Sequence, residues 1–220
     1  ITYVLFPVGT GNDWIKTHGI PKDTNQWLKM VHAGKTFQQD VGILEYHQSG
    51  VSKLRYFVNV AGLAYDGFVV KYIEENKKKV KNSLFYLFMI VRCIFMYNLR
   101  KALIRFNDQE DSGYHYTINA GICKYSGGGM SLVPHAVPDD GQLALTIAGN
   151  VSKIGVLLNS YRFYNDSILG HRKIEGYQTK EIFVEGLEEA PILLEADGEF
   201  LGEAPVRITL KEKALKIIVP

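Results

Sequence analysis

From Asp40 to the C-terminus the chain is a succession of short apolar runs separated by Gly, Asn and Asp, and this pattern constrains its fold more than any other feature. Val41, Ile43 and Tyr46 alternate before the turn His47-Gln48-Ser49-Gly50, and Leu54 to Val60 follows it. Further strand candidates are Ala102 to Phe106, Tyr114 to Ala120, Leu143 to Ile147, Glu181 to Val184, Ile192 to Ala196, Val206 to Leu210 and Ala214 to Val219. Successive strand side chains point to opposite faces, so such runs can each bury one face against another layer. So many strands with few helices predict a mostly β domain of sandwich type over 40–220.

The first 39 residues have a different rhythm. Thr2 to Phe6 reads as a short buried strand, and the Gly9 to Asn12 turn passes it to a helix that begins near Asp13 and Trp14. Gly19-Ile20-Pro21 ends that helix, because proline restricts its predecessor and is costly in a helix interior. A second helix is predicted over Thr24 to Ala33, with Thr24 as its cap and Gly34 as its stop. A domain junction is therefore placed near Gln39, and the whole chain reads as α+β.

Three helical stretches interrupt the β-rich part. One opens at Asp66-Gly67; Ser83 to Tyr97 is apolar apart from Arg92; Val151 to Tyr164 places Ile154, Leu157, Leu158 and Tyr161 at helical spacing. A helix of about 14 residues reaches only about 21 Å, short of the ~30 Å hydrocarbon layer, which disfavours a membrane crossing. Lys77, Lys78, Lys79 and Lys81 form a cationic collar beside Phe85, Phe88, Met89 and Phe95. Such a collar suits an anionic bilayer surface or the mouth of an apolar cleft, and equally a core helix preceded by a solvated loop.

A net charge of only +2 argues against a broad nucleic-acid surface. Cys93 and Cys123 have no metal-ligand spacing, which fits a reducing cytosol better than a disulfide scaffold.

Three segments carry candidate chemistry. In Gly9-Thr10-Gly11-Asn12-Asp13 the glycines allow a phosphate close to the backbone, Thr10 offers a hydroxyl, and Asp13 would act through magnesium or as a helix cap. Gly127-Gly128-Gly129 leads to Asp139-Asp140-Gly141, where Asp139 and Asp140 with nearby carbonyls offer oxygen ligands to a hard cation or form a surface turn. Asp197-Gly198-Glu199 puts two carboxylates beside a tight reversal, and Asp-Gly is also a common hairpin signal. Asn59 and Asn119, each near an Ala-Gly pair, hint at paired strands that carry polar groups toward one cleft.

Together these segments resemble the diacylglycerol kinase catalytic family, which includes bacterial lipid kinases and the sphingosine and ceramide kinases. The matching pieces are Pro7 to Trp14, Asn59 to Gly62 with Asp66-Gly67, Gly127 to Met130 through Pro138 to Leu143, and Glu195 to Glu199. The resemblance implies the NAD kinase/diacylglycerol kinase-like fold: residues 1–39 as the end of an α/β nucleotide-binding domain, and 40–220 as the β-sandwich substrate and catalytic domain. It implies ATP and Mg2+ as cofactors, with Gly9, Thr10, Gly11, Asn12 and Asp13 bordering their site. Asp197 becomes the general base, Glu199 helps to place metal or phosphate, and Asp139 and Asp140 fall in the region of a structural magnesium site. The implied reaction is γ-phosphoryl transfer to a lipid alcohol by a cytoplasmic protein peripheral to the inner face of the membrane. Exposed strand edges would permit a homodimer.

The family's Gly-Gly-Asp-Gly-Thr phosphate loop lies upstream of the segment that begins at Thr2 and is absent from these residues, so little turnover is expected from this stretch alone. Two other readings remain open. One is phosphorylation of a dinucleotide ribose, as in NAD kinases; the other is a non-catalytic lipid-binding or regulatory domain.

Overall fold

The computed structural model describes residues 1–8, 12–48, 50–76 and 83–220. Strand β1 (Thr2–Tyr3) precedes helices α1 (Asp13–Thr17) and α2 (Thr24–Ala33). There follow β2 (Thr36–Gln48), β3 (Val51–Phe57), β4 (Val60–Ala64), α3 (Tyr65–Glu75) and α4 (Ser83–Met96). Next come β5 (Arg100–Phe106), β6 (Gln109–His115), β7 (Thr117–Gly121), β8 (Tyr125–Ser126), β9 (Met130–Ser131), β10 (Leu143–Ala148) and α5 (Lys153–Asn159). Two 3₁₀ turns lead to β11 (Ile174–Thr179), β12 (Ile182–Gly186), β13 (Leu193–Ala196) and β14 (Glu199–Ile218).

Among the described residues twelve strands join one sheet, whose main path runs β11-β10-β7-β4-β13-β14-β12-β5-β6. Strand β14 is its spine: in turn it pairs antiparallel with β13, β12 and β2, and near its end parallel with β1. Register shifts between Glu203 and Val206 and between Lys211 and Leu215 let this 20-residue strand bend. The runs Val206 to Leu210 and Ala214 to Val219, which read as two strands in the sequence, are thus one strand with an irregularity at Lys213, whose φ is 48°. The result is a curled antiparallel half-barrel within an α+β fold.

The core follows the alternation. Leu44, Leu63, Ile104, Ile118, Leu145, Ile182, Leu194 and Ile208 are among the fully buried side chains. Strands β4 and β10 are buried on both faces. Helix α3 packs against β4 and β13, while Val133 and Ala136 join Val60 and Ala144 in a separate small cluster. Gly67 is what lets α3 lie so close, because a Cβ there would sit 2.3 Å from the Leu193 carbonyl oxygen.

Several sequence expectations shift. The cap of α2 is Asp23, whose Oδ1 accepts from the Gln26 amide at 3.0 Å, and Gly34 closes the helix at φ 66°. The run Tyr114 to Ala120 divides at Tyr116, because β6 pairs with β5 whereas β7 pairs with β4 and β10. Strands β6 and β11 escape the pattern because Gln109-Glu110-Asp111 and Glu175-Gly176 lack apolar alternation. Strand β2 runs through the position of the expected junction near Gln39. Ile15, Ile20 and Met30 form a small cluster with Trp27 and Ile218, packing the first helices onto the end of β14.

Candidate functional site

The turn between β13 and β14 has two residues, since Ala196 pairs with Glu199. Asp197 at φ 50° and Gly198 at φ 82° both occupy the left-handed region, the signature of a type I′ hairpin turn. Asp197 is exposed at its outer edge, yet its carboxylate reaches back to the loop between β3 and β4. Oδ2 accepts from the Val58 amide at 2.8 Å, and Oδ1 from the amides of Asn59 at 2.9 Å and Val60 at 3.2 Å. Desolvation raises the Asp197 pKa, opposed by these three amides and by Arg55. Arg55 also meets Glu199, with Nη2 2.5 Å from Oε2.

Behind this hairpin lies a polar cluster of which sequence reasoning had singled out Asn119 as a polar group facing a cleft, without its acidic partners. Glu195 is 3 % exposed and Asn119 1 % exposed, and both stand opposite Gly62 in the sheet. Asp66, in the first turn of α3, accepts from the Thr117 hydroxyl at 2.5 Å. A Cβ on Gly62 would lie 2.6 Å from Glu195 Oε1, 2.7 Å from Asp66 Cβ and 3.2 Å from Asn119 Oδ1. The group therefore closes over a position that only glycine fits. Desolvation and then the neighbouring Asp66 push the Glu195 carboxyl well above the ordinary range. Asp66 is also raised by desolvation, but hydrogen bonds from Thr117 and Asn119 work against that rise. The available sequence signal was the polar residue inside the apolar run Leu193 to Ala196.

The same hairpin connects to the N-terminal segment. The Asn59 side-chain amide donates to the Tyr125 carbonyl at 2.6 Å, and Lys16 Nζ sits 3.7 Å from the Tyr125 ring centroid. Lys16 also donates to the Gly129 carbonyl at 3.1 Å, and the Gly128 amide donates to Asp13 Oδ2 at 2.9 Å. Asp13 Oδ1 is buried with no hydrogen-bond partner. Asp13 thus clasps the triple-glycine turn, with Gly127, Gly128 and Gly129 at φ 63°, 88° and 93°. Asn12, at φ 52°, caps α1 through its backbone position. Gly9, Thr10 and Gly11 lie outside the described residues.

The second acidic turn is built differently. Asp140 Oδ1 accepts from the Gln142 amide at 3.0 Å, and Oδ2 from Gln178 Nε2 at 3.2 Å. Desolvation raises its pKa, aided by Asp40 and Asp139. Asp139 is exposed, and its charge acts on His18, whose pKa desolvation lowers. The fully buried Asp40 fastens the turn: it accepts from the Gly141 amide at 2.8 Å and from the Lys213 amide at 2.6 Å. Its neighbour Gln39, equally buried, donates to the Val58 carbonyl at 2.7 Å. One residue pair in β2 therefore braces both acidic turns. Among the described residues no group of three or more His, Cys, Asp or Glu side chains is arranged to hold a metal. Asp139 and Asp140 offer oxygen atoms only, the donor chemistry that a hard cation takes.

An apolar face lies apart from these turns. Leu87, Phe88, Phe95 and Met96 on α4 are exposed, as are Ile154 and Leu158 on α5 and Tyr161 and Tyr164 just after it. Lys153 Nζ donates to the Phe95 carbonyl at 2.6 Å, tying the two helices together. From Lys153 to Lys173 the basic residues Lys153, Arg162, Arg172 and Lys173 face a single acidic one, Asp166. Among the described residues no helix is long and apolar enough to cross a membrane. Lys77 to Lys79, Lys81 and the Phe85 side chain lie outside what the structure describes.

The sequence model of the YegS C-terminal NAD kinase beta sandwich-like domain matches residues 40–219. A "Probable lipid kinase YegS-like" of Serratia proteamaculans is 26% identical over 219 residues, which covers 98% of this chain and 67% of that protein. A "Diacylglycerol kinase" of Mycobacterium tuberculosis is 25% identical over 218 residues, covering 98% of this chain and 68% of the relative. A "Probable lipid kinase YegS" of Escherichia coli is 28% identical over 166 residues, or 74% of this chain and 52% of the relative. The chain thus spans between half and about two thirds of these relatives. Among solved structures, a diacylglycerol kinase from Bacillus anthracis superimposes with a TM-score of 0.67 at 20% identity, covering 100% of this chain and 67% of that one. At that identity the superposition bears on the fold alone.

Proposed function

The chain belongs to the YegS C-terminal NAD kinase beta sandwich-like family, within the lipid kinase superfamily, and we propose that it supplies the catalytic edge of an ATP-dependent kinase for a lipid alcohol such as diacylglycerol. The observation that carries this reading is the Asp197 hairpin, held by the loop at Val58 to Val60 and linked through Asn59 and Tyr125 to the segment that holds Asp13.

A carboxylate offers about four acceptor positions, and the three amides leave one open on Oδ2. Desolvation makes that oxygen more basic, which suits it to take the proton of a substrate hydroxyl. As the lipid oxygen bonds to the γ-phosphorus, the bond from that phosphorus to the bridging oxygen breaks, the hydroxyl proton passes to Asp197, and ADP and a lipid phosphate monoester leave. Arg55, drawn toward Glu199, provides positive charge for phosphoryl oxygens. Glu199 then sets the guanidinium's place rather than touching the substrate. Gly9 to Asn12 and Asp13 would border the nucleotide. Magnesium held by Asp139 and Asp140 would supply charge neutralisation and bracing at their turn. The exposed α4 and α5 face, with its basic surplus, suits rest on an anionic membrane surface, consistent with a cytoplasmic protein at the inner face.

The test is transfer of labelled γ-phosphate by the full-length protein to a panel of lipid alcohols in anionic vesicles, with NAD as a parallel acceptor. A labelled lipid phosphate is expected. Label on NAD instead would favour a dinucleotide kinase, and vesicle binding without ATP consumption would favour a non-catalytic lipid-binding domain; either result overturns the proposal.

A further inference from the structure

The cluster behind the hairpin has an imbalance of hydrogen-bond donors. Asn119 Oδ1 is buried with no partner, and it faces the same small space over Gly62 as Glu195 Oε1. Both atoms are acceptors when Glu195 is ionised. The Asn119 amide nitrogen is turned the other way, toward the Thr117 hydroxyl at 3.4 Å and toward Asp66. Asp66 also receives the Thr117 hydroxyl, so its charge is well met by donors. Glu195 has backbone amides only, from Gly198 at 2.9 Å on Oε2 and from Gly62. A second negative charge beside Asp66, at 3 % exposure and without a cationic side chain bonded to it, is expensive.

We propose that Glu195 is a neutral carboxylic acid in the folded protein, donating its proton toward Asn119 Oδ1 and serving as a positioning residue that fixes the Asp197-Gly198 turn against α3. One proton on Glu195 gives the unmatched Asn119 Oδ1 a donor and removes the second buried negative charge. The chain of contacts then runs from the Gly198 amide through Glu195 and Asn119 to Asp66 and Thr117, so the turn inherits the rigidity of β13, β7 and α3. The titratable groups facing Glu195 are Asp66 from α3 and Asp197 from its own hairpin; β4 and β7 contribute the uncharged Gly62 and Asn119. The positioning role rests on Asp197 acting as the base, whereas the location of the proton does not.

Glutamine mimics the neutral acid, with an oxygen for Gly198 and an amide donor for Asn119. The decisive measurement is infrared spectroscopy of the full-length protein at neutral pH. The carbonyl stretch of a protonated, buried carboxyl is expected in the parent and lost in Glu195→Gln, while Asp66→Asn retains it. Unfolding across pH gives a second readout. Burial raises the folded-state pKa above the ordinary value of 4.5, so the associated stability is full below that value and declines as pH rises through and above it. Glu195→Gln has no such decline, so its midpoint should gain on the parent's from acid to neutral pH. Absence of the band in the parent, or its survival in Glu195→Gln, overturns the proposal. A protein that shows the band but phosphorylates no lipid alcohol refutes the kinase reading and leaves the neutral Glu195 standing.

Discussion

Two Asp-Gly turns flank the candidate site, and their acids work in opposite ways. Asp197 sends its own carboxylate into the amides of a neighbouring loop, so the residue on the turn is also the one that anchors it. Asp140 mostly serves its own turn by accepting from Gln142, and the anchoring is done by Asp40 from a distant strand. The difference teaches that an acidic turn in sequence does not reveal whether its carboxylate is structural, reactive or both. Gln39 and Asp40 brace the two turns from adjacent positions of one strand, so the turns are also mechanically linked.

The largest effect is expected at Asp197. In the full-length protein Asp197→Asn should lower phosphoryl transfer by about 10²- to 10⁴-fold, the usual range for a lost general base. It also turns an amide donor toward backbone N–H groups, at about 1–3 kcal/mol in stability, so denaturant unfolding must accompany the assay. A folded variant with undiminished transfer would remove Asp197 from the chemistry. Next comes Asp40→Asn, which sets an amide group against the Gly141 or Lys213 N–H and should cost about 1–3 kcal/mol while speeding hydrogen exchange at both amides. Unchanged exchange would show that the second turn holds itself. The smallest effect is expected for Asp140→Asn, within about 0.5 kcal/mol without metal because the residue is exposed and asparagine can keep the turn contact. Magnesium should raise the parent's thermal midpoint and not that of Asp140→Asn. A loss matching that of Asp40→Asn would erase the contrast between the turns.

The turns that carry the candidate residues were legible because they are local. The turn at Asp197-Gly198 follows from two residues that tolerate positive φ between strand-forming runs, and α2 from its apolar spacing and Gly34. Arg55 was not singled out, and Asp66 and Glu195 entered only as parts of the family resemblance with no role assigned, since their partners lie 144 residues away for Arg55 and 51 for Asp66, and across the β4–β13 pairing for Glu195. Gln39 and Asp40 stand where the strand period sets in and where the matched family domain begins. In the structure they are wholly buried and satisfied by loops that folding alone brings to them.

The sequence by itself determined the α+β character, the strand-rich second part and the positions of the tight turns, because periodicity and φ preferences act over a few residues. Only the tertiary structure decided which carboxylates share a space, which are met by amides and which lack a donor. Those properties depend on desolvation and on contacts between distant strands, and no local pattern encodes them.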